Sequence, residues 1–136
     1  MNDEQKKELI ERAEVAFDND KDMVNWITAL VSGEYEQTTG ALMKDDGFCC
    51  IGVAARVVLK KRERDIHTPD GSTEGEERVH IADTYKTMSD LCRKWGVYSE
   101  DYIEANDNGY DFYRIARDIV VDREKCVERK KLREMS

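Results

Sequence analysis

A single proline, Pro69, and only two histidines, His67 and His80, stand in a chain of 136 residues. So little proline leaves long stretches free to run as uninterrupted helix. So little histidine excludes a multi-histidine metal centre and limits any imidazole base to two positions. Also missing are a glycine-rich phosphate loop, a G-x-S-x-G elbow, an H-E-x-x-H pair and a heptad run long enough for a coiled coil. With them go the sequence signatures of P-loop nucleotide hydrolases, α/β-hydrolases and zincins. No apolar run approaches the roughly 18 residues of a membrane span. The opening M-N-D-E-Q-K-K-E has no apolar core of the kind a secretory signal needs. The expectation is an intracellular protein with no membrane association.

Basic excess is absent too. Twenty-two Lys and Arg face 30 Asp and Glu, giving a net charge of −8 and a pI near 4.9. Such a balance opposes binding to DNA, RNA or anionic lipid and suits a basic partner. It also speaks against reading the C-terminal half as a helix-turn-helix. There Glu100, Asp101, Glu104, Asp107, Asp111 and Asp118 outnumber Arg114 and Arg117. The opposite idea, an acidic mimic of nucleic acid, requires those carboxylates to share one side. Lys60, Lys61, Arg62 and Arg64, with Arg129, Lys130, Lys131 and Arg133, are the basic concentrations, read as solvated ends.

Cysteine is scarce and oddly placed. Cys49 and Cys50 are adjacent, Cys92 and Cys126 stand alone, and none has C-x-x-C or zinc-ligand spacing. A single domain over 1–136, charged at 38% and hydrophobic at 40%, is large enough to fold without staples, so free thiols are expected.

What is present is one strongly apolar stretch. Over residues 48–59 the only charged side chain is Arg56, and an element apolar nearly all round must be enclosed by others. The β-branched Ile51, Val53, Val57 and Val58 would suit a buried strand. The length, the small Gly52, Ala54 and Ala55, and capping carboxylates at Asp45 and Asp46 favour a helix. Around it the periodicity predicts a surface helix over 3–17, and a second helix capped by Asp20 or Asp22 and stopped at Gly33. An extended segment is expected within 34–43. A hairpin pairs 64–67 with 78–81 about a mobile turn at 68–75. Three more helices follow: from Asp83 or Thr84 to Gly96, over 99–105, and from Tyr110 or Asp111 into a charged end at 122–136. The expected fold is α+β, mainly α. It is a compact helical domain around a buried central helix, with a β element of two or three strands. The expected buried set is Trp26, Ile27, Leu30, Phe48, Ile51, Val53, Val57, Leu91, Trp95, Phe112, Ile115 and Ile119.

Two blocks carry a family resemblance. The first runs through Trp26, Ala29, Leu30, Ser32, Gly33, Tyr35, Gln37, Thr39-Gly40-Ala41-Leu42 and Phe48-Cys49-Cys50-Ile51-Gly52-Val53. The second comprises Asn106, Asp107, Gly109, Phe112, Ile115, Ala116 and Ile119. Together they resemble a family of small uncharacterised proteins common in tailed-phage genomes. The resemblance implies a phage accessory protein in the host cytoplasm that inhibits a host protein or sequesters a small defence-related ligand, without catalysis or cofactor. Tyr35, Gln37, Asn106 and Asp107 are its candidate binding residues.

The competing reading is a thiol hydrolase. Cys49 or Cys50 at a helix N-terminus would be the nucleophile, Gln37 the oxyanion donor, and His80 or His67 the base. Against it, apolar neighbours bury thiols, and buried cysteine behaves as a small hydrophobe. A zinc site joining the histidines to the cysteines, and a calcium loop opening at Asp18-Asn19-Asp20, are weaker still. The calcium loop lacks glycine at its sixth position, Met23, and glutamate at its twelfth, Ala29. No metal is expected.

Overall fold

The computed structural model describes residues 2–68 and 75–135, and the side chains of all of these except 75–78. In chain order the elements are α1 (Asp3–Ala16), α2 (Lys21–Ser32), β1 (Glu36–Gln37), β2 (Met43–Lys44), β3 (Gly47–Phe48) and α3 (Cys50–Val57). Then come α4 (Glu63–Ile66), α5 (Gly75–Lys94), α6 (Ser99–Asp107) and α7 (Phe112–Met135). The fold is α+β and mainly α.

Local chemistry sets the helix ends. Asn2 and Gln5 form a capping box at the start of α1, each side chain bonded to the other's main-chain N–H. Asp20 caps α2 by accepting from Met23 N–H at 3.1 Å. Gly33 ends that helix at φ +81°, a left-handed conformation that costs glycine little. Leu9, Ala13, Ala16 and Phe17 are buried, so α1 is half-sunk against α2 and α7 rather than lying on the surface. Arg12 and Glu124 form a two-pronged ion pair between α1 and α7, at 2.5 and 3.1 Å. Nearby, the Arg123 guanidinium donates to the carbonyls of Ala16 at 2.8 Å and Trp95 at 3.0 Å. One cation thus serves the negative ends of α1 and α5.

The sheet order is β1-β3-β2, with β1 parallel and β2 antiparallel to β3. Its third strand comes from 47–48, not from the expected hairpin of 64–67 with 78–81. Residues 64–66 and 78–81 are helical instead, in α4 and α5, and the extended His67 bridges to Met43 of β2. The spacing of Tyr85, Met88 and Cys92 continues upstream to Ile81, and α5 itself begins at Gly75, ahead of the expected start at Asp83 or Thr84. Most of the expected turn, 69–74, falls outside the described residues. The capping expectation for α3 is corrected as well. Asp45 and Asp46 form the two-residue loop between β2 and β3, with Asp45 at φ +53°, so α3 starts later than 48. Its cap is Cys49.

Between these layers α3 is enclosed, with Cys50 through Ala55 all buried. Trp26 of α2 donates its indole N–H to Cys50 O at 2.9 Å, and its ring meets Tyr102 of α6 edge-on at 6.4 Å. Val57, Leu91 and Trp95 are only partly buried; the other nine members of the expected core are buried. Helix α7 continues through the charged segment after 121 to Met135, with Leu132 and Met135 exposed.

Gly52 sits so close to the loop before β2 that a Cβ there would stand 1.9 Å from Leu42 O and 2.8 Å from its carbonyl carbon. Backbone would have to move. Gly52→Ala is therefore expected to destabilise the fold by about 2–3 kcal/mol or more despite alanine's better helix propensity. Urea unfolding checks this; a midpoint equal to or above that of the wild type would contradict the close approach.

Candidate functional site

The adjacent cysteines meet at the start of α3 in two different roles. Cys49 is the N-cap residue, in an extended conformation, and its sulfur accepts from Gly52 N–H at 3.3 Å. Cys50, on the first turn, directs its thiol to Tyr102 O at 3.5 Å. Both are buried, and desolvation pushes the Cys49 thiol up to about 11 from an ordinary value of 9.0 and Cys50 up as well. Among the described residues neither sulfur is hydrogen-bonded to a histidine. His67 follows α4, where it bridges to Met43, and His80 lies on α5. A thiol held neutral in an apolar interior lacks what a nucleophile needs: exposure and a base.

The polar residues of the two sequence blocks do converge. Gln37 Nε2 donates to Asn106 Oδ1 at 2.9 Å and to Tyr110 O at 2.6 Å. Asn106 Oδ1 also accepts from Cys50 N–H at 3.2 Å, while its Nδ2 donates to Thr38 O at 2.8 Å. The partners fix the amide's orientation, because Cys50 N–H can only donate and the Thr38 carbonyl can only accept. Asp107 Oδ1 accepts from Gly40 N–H at 3.1 Å. Asn106 is fully buried, and these bonds tie β1 and the following loop to α6 and the start of α3. Asn106 faces its own chain, therefore, and contributes to a neighbouring surface by fixing it in place, while the exposed Asp107 commits one carboxylate oxygen to Gly40. Tyr35 belongs with them only by packing, meeting Phe48 edge-on at 5.3 Å.

That neighbouring surface is a cleft of about 540 Å³ between β1, the start of α1, the end of α2 and the start of α7. Tyr35 and Gln37 line it, with Leu30, Phe112 and Tyr113 contributing apolar surface and Lys6 a cation. Sequence reasoning found Tyr35 and Gln37 but missed Lys6 and Tyr113. Lys6 stands on a helix with no motif residue and Tyr113 is not itself one of the block positions around it, and the packing of α1 against α7 carries both to β1. Elsewhere, no three His, Cys, Asp or Glu side chains among the described residues are grouped as a metal would require. Asp18 and Asn19 take left-handed conformations in the turn before the α2 cap. The acidic row on α6 is interrupted: Asp107 is bound to Gly40, and Glu100 lies within 3.7 Å of Arg93 and 3.3 Å of Ser89 Oγ.

Residues 19–102 match the model of a domain family of unknown function, DUF8296, over more than half of the chain. The chain belongs to this family. No curated protein and no solved structure matches it. The DUF8296 match runs from the turn before α2 to the first turn of α6, so it contains β1, the sheet and both thiols of α3. Asn106 and the cleft walls from α1 and α7 lie beyond it. No helix among the described residues of this DUF8296 protein is long and apolar enough to cross a membrane.

Two outcomes follow from the geometry. Asn106→Ala strands Cys50 N–H and the Thr38 carbonyl and leaves the Gln37 amide only its bond to Tyr110, and is expected to cost about 2–4 kcal/mol, by the usual penalty for orphaned buried groups. Denaturant unfolding measures it, and a loss under about 0.5 kcal/mol would show that the network is dispensable. For the thiols, the folded values lie above those of the unfolded chain, with Cys49 at about 11 and Cys92 at about 12. Their contribution is complete below pH 9 and is lost progressively as pH rises from there through the folded values. At pH 8 iodoacetamide is expected to modify only the partly exposed Cys126 in the native chain and all four cysteines in urea, counted by mass spectrometry.

Proposed function

We propose that this chain is a non-enzymatic binding protein that acts by occupying another protein. In the phage context implied by the sequence blocks, that partner is a host protein met in the host cytoplasm. Sequestration of a small defence-related ligand is the same activity with a smaller occupant. The observation that carries the reading is the contrast at β1. Cys49, Cys50 and Asn106 are buried in structural use and the Gln37 amide is held by Asn106 and Tyr110, whereas Tyr35 and the exposed Glu36 beside them line an open cleft. Binding needs a rigid, shaped surface, and the Asn106 network supplies the rigidity.

A thiol hydrolase would require Cys49 or Cys50 to ionise near neutrality within reach of His80 or His67, and burial opposes the first step.

The test is a pull-down of the full chain from host lysate, followed by reconstitution with the purified protein that it retains. A complex of fixed stoichiometry is expected, unchanged when Cys126 is alkylated and weakened about tenfold or more by Tyr113→Ala, as for loss of an aromatic anchor. Failure to retain any protein, together with no bound small molecule by native mass spectrometry, would overturn the proposal. So would turnover of a thioester or amide substrate that disappears in Cys49→Ser.

A further inference from the structure

The two edges of the small sheet are finished differently. Along β2 the chain covers its own edge: Met43 bridges to His67, and Thr68 donates to Met43 O through its N–H at 2.9 Å and its hydroxyl at 3.2 Å. Along β1 no such cover exists among the described residues. Thr38 N–H donates to Phe48 O at 2.8 Å, and Glu36 and Gln37 are in register with Gly47 and Phe48. In a parallel ladder the main-chain groups of alternate residues face alternate sides. Those of Glu36 and Thr38 therefore face β3, and the N–H and C=O of Gln37 point to the open side. Glu36 and Gln37 are both exposed.

The cleft lies on that open side. Three consecutive residues, Tyr35, Glu36 and Gln37, line it. A strand presents consecutive residues along its edge but only alternate residues on a face, so the cleft borders the edge. Leu30, Val31 and Phe112 also line the cleft but are almost wholly covered, and Tyr113 is the partly exposed aromatic there.

We propose that β1 takes up an extended, cationic segment of the partner protein as a fourth strand, giving the order partner-β1-β3-β2. The proposal rests on the binding reading above and specifies how the partner is held. The N–H and C=O of Gln37 beside a cleft are matched by another extended backbone, which satisfies donor and acceptor together. The 67–68 segment already does so for β2. Alternating side chains of the added strand would meet the cleft lining around Tyr113 on one side and water on the other. Charge selects the partner further. The charged lining is Glu36 and Asp111 against Lys6, exposed Glu34 lies next to β1, and the chain carries −8. A second copy of this chain would bring Glu34 and Glu36 against like charges, which disfavours self-pairing through this edge.

The experiment selects twelve-residue peptides from a random displayed library on the full chain, then measures the synthetic binders by calorimetry. Peptides with Lys or Arg among alternating apolar residues are expected. N-methylation at every second amide should weaken binding about fivefold or more, while methylation at the intervening amides should change it less than about twofold, the contrast that a lost strand hydrogen bond gives. Glu36→Lys, a change at an exposed side chain, should weaken cationic binders about threefold or more at low salt. Hydrogen exchange at Gln37 N–H should slow on binding. Helical or acidic binders, insensitivity to N-methylation, unchanged exchange at Gln37, or a concentration-dependent dimer through β1 would each overturn strand addition. A purified host partner that binds stoichiometrically but is not displaced by the selected peptides would also overturn it, while leaving the binding reading intact.

Discussion

One buried amide side chain holds the middle of this molecule together. Asn106 accepts from Cys50 N–H and Gln37 Nε2 and donates to the Thr38 carbonyl, and in doing so joins α6, α3 and the end of β1. The first turn of a helix leaves N–H groups without intrahelical partners, and here they are buried, where an orphan costs most. Asn106 and the Cys49 sulfur answer two of those groups from opposite directions.

The thiols gain their meaning from that arrangement. At a solvent-facing helix N-terminus the backbone dipole would favour a thiolate. In this fold desolvation outweighs it, and the pair divides into a cap, Cys49, and a filler, Cys50, that lies beneath Tyr102 O. Trp26 adds a further bond, to Cys50 O, so the residue is gripped at its N–H, its carbonyl and its sulfur. Gly52 completes the junction by letting the Leu42 carbonyl approach more closely than any side chain would allow.

Much of this was legible in the sequence because it is written in local patterns. The apolar run around Ile51 and Val53, the three-and-four spacing of Met23, Trp26, Ile27 and Leu30, and the stop at Gly33 depend on neighbours a turn away. What escaped depended on distant partners or on competing uses of one residue. Asp45 and Asp46 suited a cap and a turn equally, and the strand pairing of Gly47 and Phe48 decided for the turn. The pair Arg64 to His67 and Arg78 to Ile81 resembled hairpin flanks, yet the helical continuation from Tyr85 and Met88 reached back past them. Gln37 and Asn106 were singled out by pattern, and their bond at a separation of 69 residues needed the fold. Lys6 and Tyr113 had no pattern to carry them. Their place beside β1 is a product of helix packing alone.

The long reach of Asn106 also orders events during synthesis. The segment that forms α2, the sheet and α3 leaves the ribosome well before residue 106 does, with Cys50 N–H and the Thr38 carbonyl still lacking the amide that will join them. Helical turns in α2 can form at once, but the junction of β1 with α3 waits for α6 to arrive, and Tyr102 and Asn106 reach it together. The nascent chain therefore carries its most apolar segment for several dozen residues of elongation before the amide that joins it to the sheet has been made.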